Sequence, residues 1–276
     1  MDERLRIDWH NHTRDWSDGS LSVAEVAARG AALGLRIGVA DHALRDNRRL
    51  RTREQLLAYV AALERYPVLR GIEISLGEPS LPDDRWLGHL THIVASLHAV
   101  PVGAHTVHTT HYLNYRAGVL PALQPPPAGV DPRAYLAAIP PLLEDTFRRW
   151  PVTIVGHFAL VPALAGRAGE GPVGECLDAV ADLCVQHGVA IELNAKSRVP
   201  EVEAARRFAD RGVTFSLGAD GHDPEGVGNL ANARATWAAL GLPPARLLSA
   251  PATLDPGQGW PGARSFRALR GWGRGR

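Results

Sequence analysis

A chain of 276 residues can bury a full core, and 45% hydrophobic against 21% charged residues is the balance of an ordinary globular protein. Thirty basic against 29 acidic residues give a formal net charge of +1, so nothing draws the chain generally toward nucleic acid or a membrane surface. No apolar run nears the roughly 20 residues that span a bilayer, which excludes a transmembrane helix from the expectations.

The opening MDERLRIDWH is expected to enter its first strand within a few residues, so no signal peptide is expected there. Strands are expected at Leu5–His10, Arg36–Asp41, Val68–Ile74, His92–His98, Val152–His157, Val189–Asn194 and Val213–Asp220. Helical spacing of apolar residues falls between most of them, at Ser22–Leu33, Arg53–Arg65, Pro141–Arg149, Pro172–His187 and Pro200–Arg211, with Val227–Leu240 after the last strand. Ser22 followed by Glu25 is a capping box. Cys176 and Cys184 lie eight residues apart on one expected helix, about 12 Å along its axis. That is too far for a disulfide, and two unpaired thiols fit a reducing cytoplasm.

Alternating strands and helices predict an α/β fold with a parallel sheet. The ligand-type residues decide between an open sheet and a barrel. His10, His12, Asp18, His42, Glu73, His98, His157, Asp220 and His222 stand at or just past the ends of six of the seven strands. An open sheet gathers its site at one switch point. A barrel points every strand end at one centre, so a distorted seven-stranded (β/α)7 TIM-like barrel is expected. One domain spans residues 1–250. Residues 99–133 form an inserted loop rich in histidine (His105, His108, His111) and proline, read as a lid or substrate loop. Residues 251–276 are a C-terminal extension whose Arg264–Arg276 stretch carries five arginines and no acid, with the last six residues expected to be disordered.

His10 and His12 are two apart, so in a strand both rings share a face and can grip one ion. Asp220 and His222 repeat that spacing. Glu73 sits inside an apolar run, where a lone carboxylate is costly unless a cation or an arginine pairs with it. Asp41 should point away from His42 and play a supporting part. His89, His92 and His187 read as structural. Imidazole and carboxylate without thiolate suit Zn, Mn or Fe rather than a closed structural zinc site.

Taken together, H-x-H with S-D-G (His10, His12, Asp18), D-H (Asp41, His42), the strand-end Glu73, His98 and His157, and D-x-H (Asp220, His222) resemble the PHP family, the polymerase and histidinol phosphatase domain, over Leu5–Leu240. The resemblance is greatest to the histidinol-phosphate phosphatases, through VGHFALVP, IELNAKSRVPE and GVTFSLGADGHDPEGVG. Many of those enzymes carry a histidine where this chain has Asp18. The resemblance implies a PHP-type barrel with two to three divalent ions (Zn, Mn or Fe). His10, His12, Glu73 and Asp220 would hold one, Glu73 would bridge to a second held by His98 and His157, and Asp18, His42 and His222 would hold the third. The implied activity is hydrolysis of a small phosphate monoester by metal-bound hydroxide, with histidinol phosphate as the leading substrate and nucleotides or nucleic-acid ends as the alternative. Three ions against three carboxylates leave about +3 to stabilise a phosphoryl transition state. Glu73, Asp220 and His222 are the catalytic candidates; Lys196, Arg198, His105 and His108 are the substrate-binding ones. An amidohydrolase is the weaker alternative, since such barrels typically use a carboxylated lysine near strand four and the one lysine here, Lys196, follows strand six.

Overall fold

The computed structural model describes residues 2–79, 85–165 and 171–250. The C-terminal extension, with its arginine tail, lies outside them.

Seven parallel strands form one sheet in the order β1-β2-β3-β4-β7-β8-β9: β1 (Ile7–Asp8), β2 (Arg36–His42), β3 (Leu69–Ser75), β4 (His92–Ser96), β7 (Ile154–Gly156), β8 (Ala190–Asn194) and β9 (Phe215–Gly218). Between β4 and β7 stand β5 (Ala99–Val102) and β6 (His105–His108), paired antiparallel with each other. The helices are α1 (Val23–Leu33), α2 (Arg53–Leu63), α3 (Thr109–Arg116), α4 (Pro132–Arg149), α5 (Pro162–Ala165), α6 (Gly171–His187), α7 (Val202–Asp210) and α8 (Ala231–Leu240). The sheet curls until its edges meet: Trp9 N donates to Leu217 O at 3.0 Å, Asp220 N to His10 O at 2.7 Å and His12 N to Gly221 O at 2.9 Å. The architecture is therefore the expected seven-stranded α/β barrel.

Period two along each strand divides the buried side chains. One set, including Ile37, Val39, Ile72, Ile74, Ile93, Ile191 and Leu217, joins the helices in the main core. The alternate set, Ile7, Trp9, Ala40, Leu69, Val94, Ile154 and Ala190, forms a separate small cluster within the barrel. Small residues in that second set make room for large polar ones. A Cβ on Gly71 would sit 2.3 Å from the His92 ring, and one on Gly218 would sit 1.9 Å from the Glu192 carboxylate. His92, whose Nε2 lies 2.7 Å from Trp9 O, is structural as expected; burial lowers its pKa to about 3 and keeps it neutral.

Three expectations need correction. The first strand shortens to Ile7–Asp8 because Glu3–Arg6 wind into a 3₁₀ turn capped by the Asp2 carboxylate. The helix expected at Pro141–Arg149, α4, begins at Pro132, not Pro141. Asp131 caps it by accepting from the amides of Arg133 and Ala134, and it runs through Pro140 and Pro141. Interior proline normally breaks a helix, but burial of Tyr135, Leu136, Ile139 and Leu143 holds this one. Finally, residues 99–133 are not a structureless loop: they begin with the β5–β6 hairpin and α3, whose Val100, Val107, Tyr112 and Leu113 are buried in the main core. The other helices fall near their expected places, and α1 carries the Ser22–Glu25 capping box, an interaction of about 1 kcal/mol. Cys176 and Cys184 are both buried and free on α6. No described helix is long and apolar enough to cross a membrane.

Candidate metal centre

All nine ligand-type residues converge at the C-terminal ends of the strands, around Glu73. This carboxylate lies at the end of β3 with no solvent exposure. Its Oε1 is 2.8 Å from His157 Nε2 and 3.3 Å from His98 Nε2. Its Oε2 is 2.7 Å from His42 Nδ1, 3.5 Å from His10 Nε2 and 3.6 Å from His12 Nε2. His10 Nε2 and His12 Nε2 are 3.1 Å apart, and His12 Nε2 is 3.3 Å from Asp220 Oδ1. Asp18 faces three rings from the other side: His222 Nε2 at 3.4 Å, His12 Nδ1 at 3.7 Å and His42 Nε2 at 3.8 Å. His10, His12 and Glu73; His42, Glu73 and His98; and His12, Asp18, His42 and His222 are each spaced so that one ion could be held. His12 and His42 therefore belong to two groups each, offering opposite ring nitrogens.

The backbone is distorted to bring these groups in. His157 and Asp220 have φ of 26° and 53°, left-handed conformations that cost about 1–3 kcal/mol each outside glycine. Charge in the cluster is strongly coupled. Burial would raise the Glu73 carboxyl, but His42, His10 and His98 hold it well below the usual carboxylate range. Burial works against a charged His98, yet Glu73 and Asp46 raise it to about 10. His12 shifts the other way, lowered by burial and by the neighbouring rings of His222 and His42. Asp220 is kept well below its ordinary value, against burial, by Lys196, His12 and His10.

Several supporting residues were not among the sequence candidates. Glu192, fully buried on β8, places Oε1 2.9 Å from His10 Nδ1, and its Oε2 accepts from His157 N at 2.7 Å and Asn194 Nδ2 at 3.0 Å. It therefore orients one imidazole and anchors the strained backbone of another. Asp46 and Ser75 flank His98 Nδ1 at 3.1 and 2.8 Å. Asp8 accepts from Asn11 Nδ2 at 2.8 Å and Ala219 N at 2.9 Å, joining the first and last strands. Asp41, which the sequence did mark as a supporting residue, turns away from the cluster: its two oxygens accept from the amide and hydroxyl of Thr13, and burial still pushes its carboxyl up to about 7. Glu192 had one legible signal, a carboxylate inside the apolar run Val189–Asn194, the same signal that singled out Glu73.

Of the substrate candidates, Lys196 reaches the cluster, with Nζ 3.1 Å from His222 Nδ1 and 3.7 Å from Asp220 Oδ1. A cleft of about 610 Å³ opens from the cluster. It is lined by Asp18, His42, Asp46 and His98 on one side and by Pro101, Thr106 and His108 of the hairpin on another. His108 thus faces the site. His105 is exposed on β6 and does not line this cleft. Arg198 is exposed with φ of 56°, and its carbonyl is held by Arg116.

No family model matches the chain, and no curated protein matches it. Among solved structures, an amidohydrolase from Chromobacterium violaceum, determined with bound sulfate and no metal, aligns over 85% of this chain and 96% of its own at 18% identity, with a TM-score of 0.35. An HpcH/HpaI aldolase from Desulfitobacterium hafniense DCB-2 aligns over 87% and 95% at 13% identity, with a TM-score of 0.37.

Proposed function

We propose that this chain is a metal-dependent phosphoesterase of the PHP type that hydrolyses a small phosphate monoester, with histidinol phosphate as the leading substrate. One observation carries the metal part of the reading. Glu73 Oε2 is buried without a hydrogen-bond partner, although three imidazole nitrogens surround it; His42 Nδ1, at 2.7 Å, is equally unpartnered. The two atoms are close in distance and misaligned for a hydrogen bond. Donors on a shared tetrahedral ion with bonds of about 2.1 Å lie roughly 3.4 Å apart. The separations of 3.1, 3.5 and 3.6 Å among His10, His12 and Glu73 fit that spacing, and Asp220 Oδ1 stands beside them, 3.3 Å from His12 Nε2.

His10, His12, Glu73 and Asp220 would hold one ion, Glu73 with His98 and His157 a second, and Asp18, His42 and His222 a third, Zn, Mn or Fe being suited to this donor set. Divalent ions held there would supply positive charge against phosphate oxygens and would lower the pKa of water near neutral pH. Glu192 accepts a hydrogen bond from His10 Nδ1–H, which leaves the Nε2 lone pair facing the cluster. Lys196, beside Asp220 and His222, offers an ammonium that would contact an outer phosphate oxygen. Asp220 is held ionised, so it would serve the cluster as a carboxylate rather than as a proton donor. The organic part of the substrate lies in the cleft against Leu76, Ala99, Pro101 and Leu142. A volume near 610 Å³ is of the class that houses whole small-molecule ligands, and it keeps a nucleotide as the second reading. A steady-state screen of protein loaded with Zn, Mn or Fe against histidinol phosphate, mononucleotides and short oligonucleotides tests this. Turnover of histidinol phosphate supports the first reading. Turnover of nucleotides alone transfers support to the second, and turnover of no phosphate ester contradicts both.

A further inference from the structure

We propose that Arg116 is a positioning residue: from the end of α3 it holds the turn that presents Lys196 to the metal cluster. The proposal deepens the phosphoesterase reading above and rests on it for the role of Lys196.

The turn follows β8 and is closed by Asn194 N donating to Val199 O at 2.8 Å. Ser197 N donates to Asn194 Oδ1 at 2.8 Å, and Arg198 sits in the left-handed region. Lys196 stands in this turn, on the side of Asp220 and His222. The carbonyls of Ser197 and Arg198 point instead toward α3. The Arg116 guanidinium meets both, with Nε donating to Ser197 O at 3.3 Å and Nη2 to Arg198 O at 2.8 Å. Its third nitrogen, Nη1, donates to Glu201 Oε1 at 2.7 Å, and the same oxygen accepts from Tyr112 OH at 3.3 Å. A planar fork with several donors can span two successive carbonyls and a carboxylate; a lysine ammonium cannot match that geometry.

The other end of α3 is fixed to the cluster as well. The amides of Thr109 and Thr110 both donate to the carbonyl of His98, at 2.9 and 3.3 Å. Eight residues of helix cover about 12 Å, so α3 is a strut from a ligand-type residue just past β4 to the lysine turn just past β8. The inserted segment therefore does more than wall the cleft. It sets the distance between the cluster and the one lysine of the chain. That lysine has four flexible methylenes and no other described anchor than Asp220 and His222.

The test uses the full-length, metal-loaded protein. Arg116→Ala should raise KM for the best phosphate ester roughly tenfold to a hundredfold, the size of losing hydrogen bonds from a charged donor, with kcat little changed. Arg116→Lys should recover part of that loss. In a Lys196→Ala background Arg116→Ala should add almost nothing, because the two act on one contact. Fully additive effects, or an unchanged KM with a lowered melting temperature, would overturn the proposal. A second readout needs no turnover. Amide exchange of Ala195 to Val199 should rise in Arg116→Ala while that of His10 to Thr13 stays put, and unchanged exchange in the turn would equally overturn it. Absence of wild-type turnover on every ester counts against the phosphoesterase reading, and exchange then decides the brace alone.

Discussion

Replacing Glu73 by glutamine keeps the shape of the side chain and removes its charge. The carboxylate is fully buried and lies within 3.6 Å of five imidazoles, those of His10, His12, His42, His98 and His157. Breaking a buried charge pair by removing one partner costs about 3–5 kcal/mol, so affinity for ions on either side of residue 73 should fall about a hundredfold to several thousandfold. Because one carboxylate borders two of the three candidate groups, both sites should weaken together. The assay is metal content by elemental analysis after dialysis against a weak chelator, beside turnover at saturating substrate. Two ions lost together with activity is the expected result; Glu73→Ala should behave alike. Loss of a single ion would refute the bridging role, and a variant retaining full metal content and full rate would refute the placement of Glu73 at the centre.

Glu192→Gln should lower metal affinity or activity by about ten- to a hundredfold, since His10 Nδ1 and the His157 amide both lean on that carboxylate; an isothermal titration with Zn that matches wild type would show that Glu192 is only packing. The metal-free protein should have a pH-dependent stability set partly by His98. Its pKa is raised from 6.5 to about 10, so the stability it contributes is whole below pH 6.5 and drains away as pH climbs toward 10. Bound cations take the place of that proton. Melting curves across pH 6.5 to 10 should therefore slope downward in chelator and flatten with metal, and superimposable curves would contradict the coupling.

The barrel, and the convergence of the nine ligand-type residues on it, were legible because most of those residues end or closely follow a short apolar run, and runs of that kind become parallel strands. Glu192 carried the same signal as Glu73, but what it supports, the ring of His10 and the amide of His157, shows only in the folded barrel, where Gly218 makes room for it. Asp46 was hidden in the polar stretch after His42. The hairpin at residues 99–108 alternates weakly and has exposed histidines, so it read as loop; its strand character comes from Val100 and Val107 packing on the core. α4 crosses two prolines that local propensity treats as a stop, and tertiary burial wins there. The supporting hydrogen bonds of Arg116 join residues more than 80 positions apart, a separation at which one sequence carries no local trace.

The most direct measurement is anomalous diffraction from crystals of the wild-type chain grown with Zn, Mn or Fe. Two or three peaks should appear, one of them between Glu73 and the His10–His12 pair and another between Glu73 and His98. A map with no anomalous density within bonding distance of Glu73, at metal concentrations that saturate ordinary hydrolases, would contradict the account.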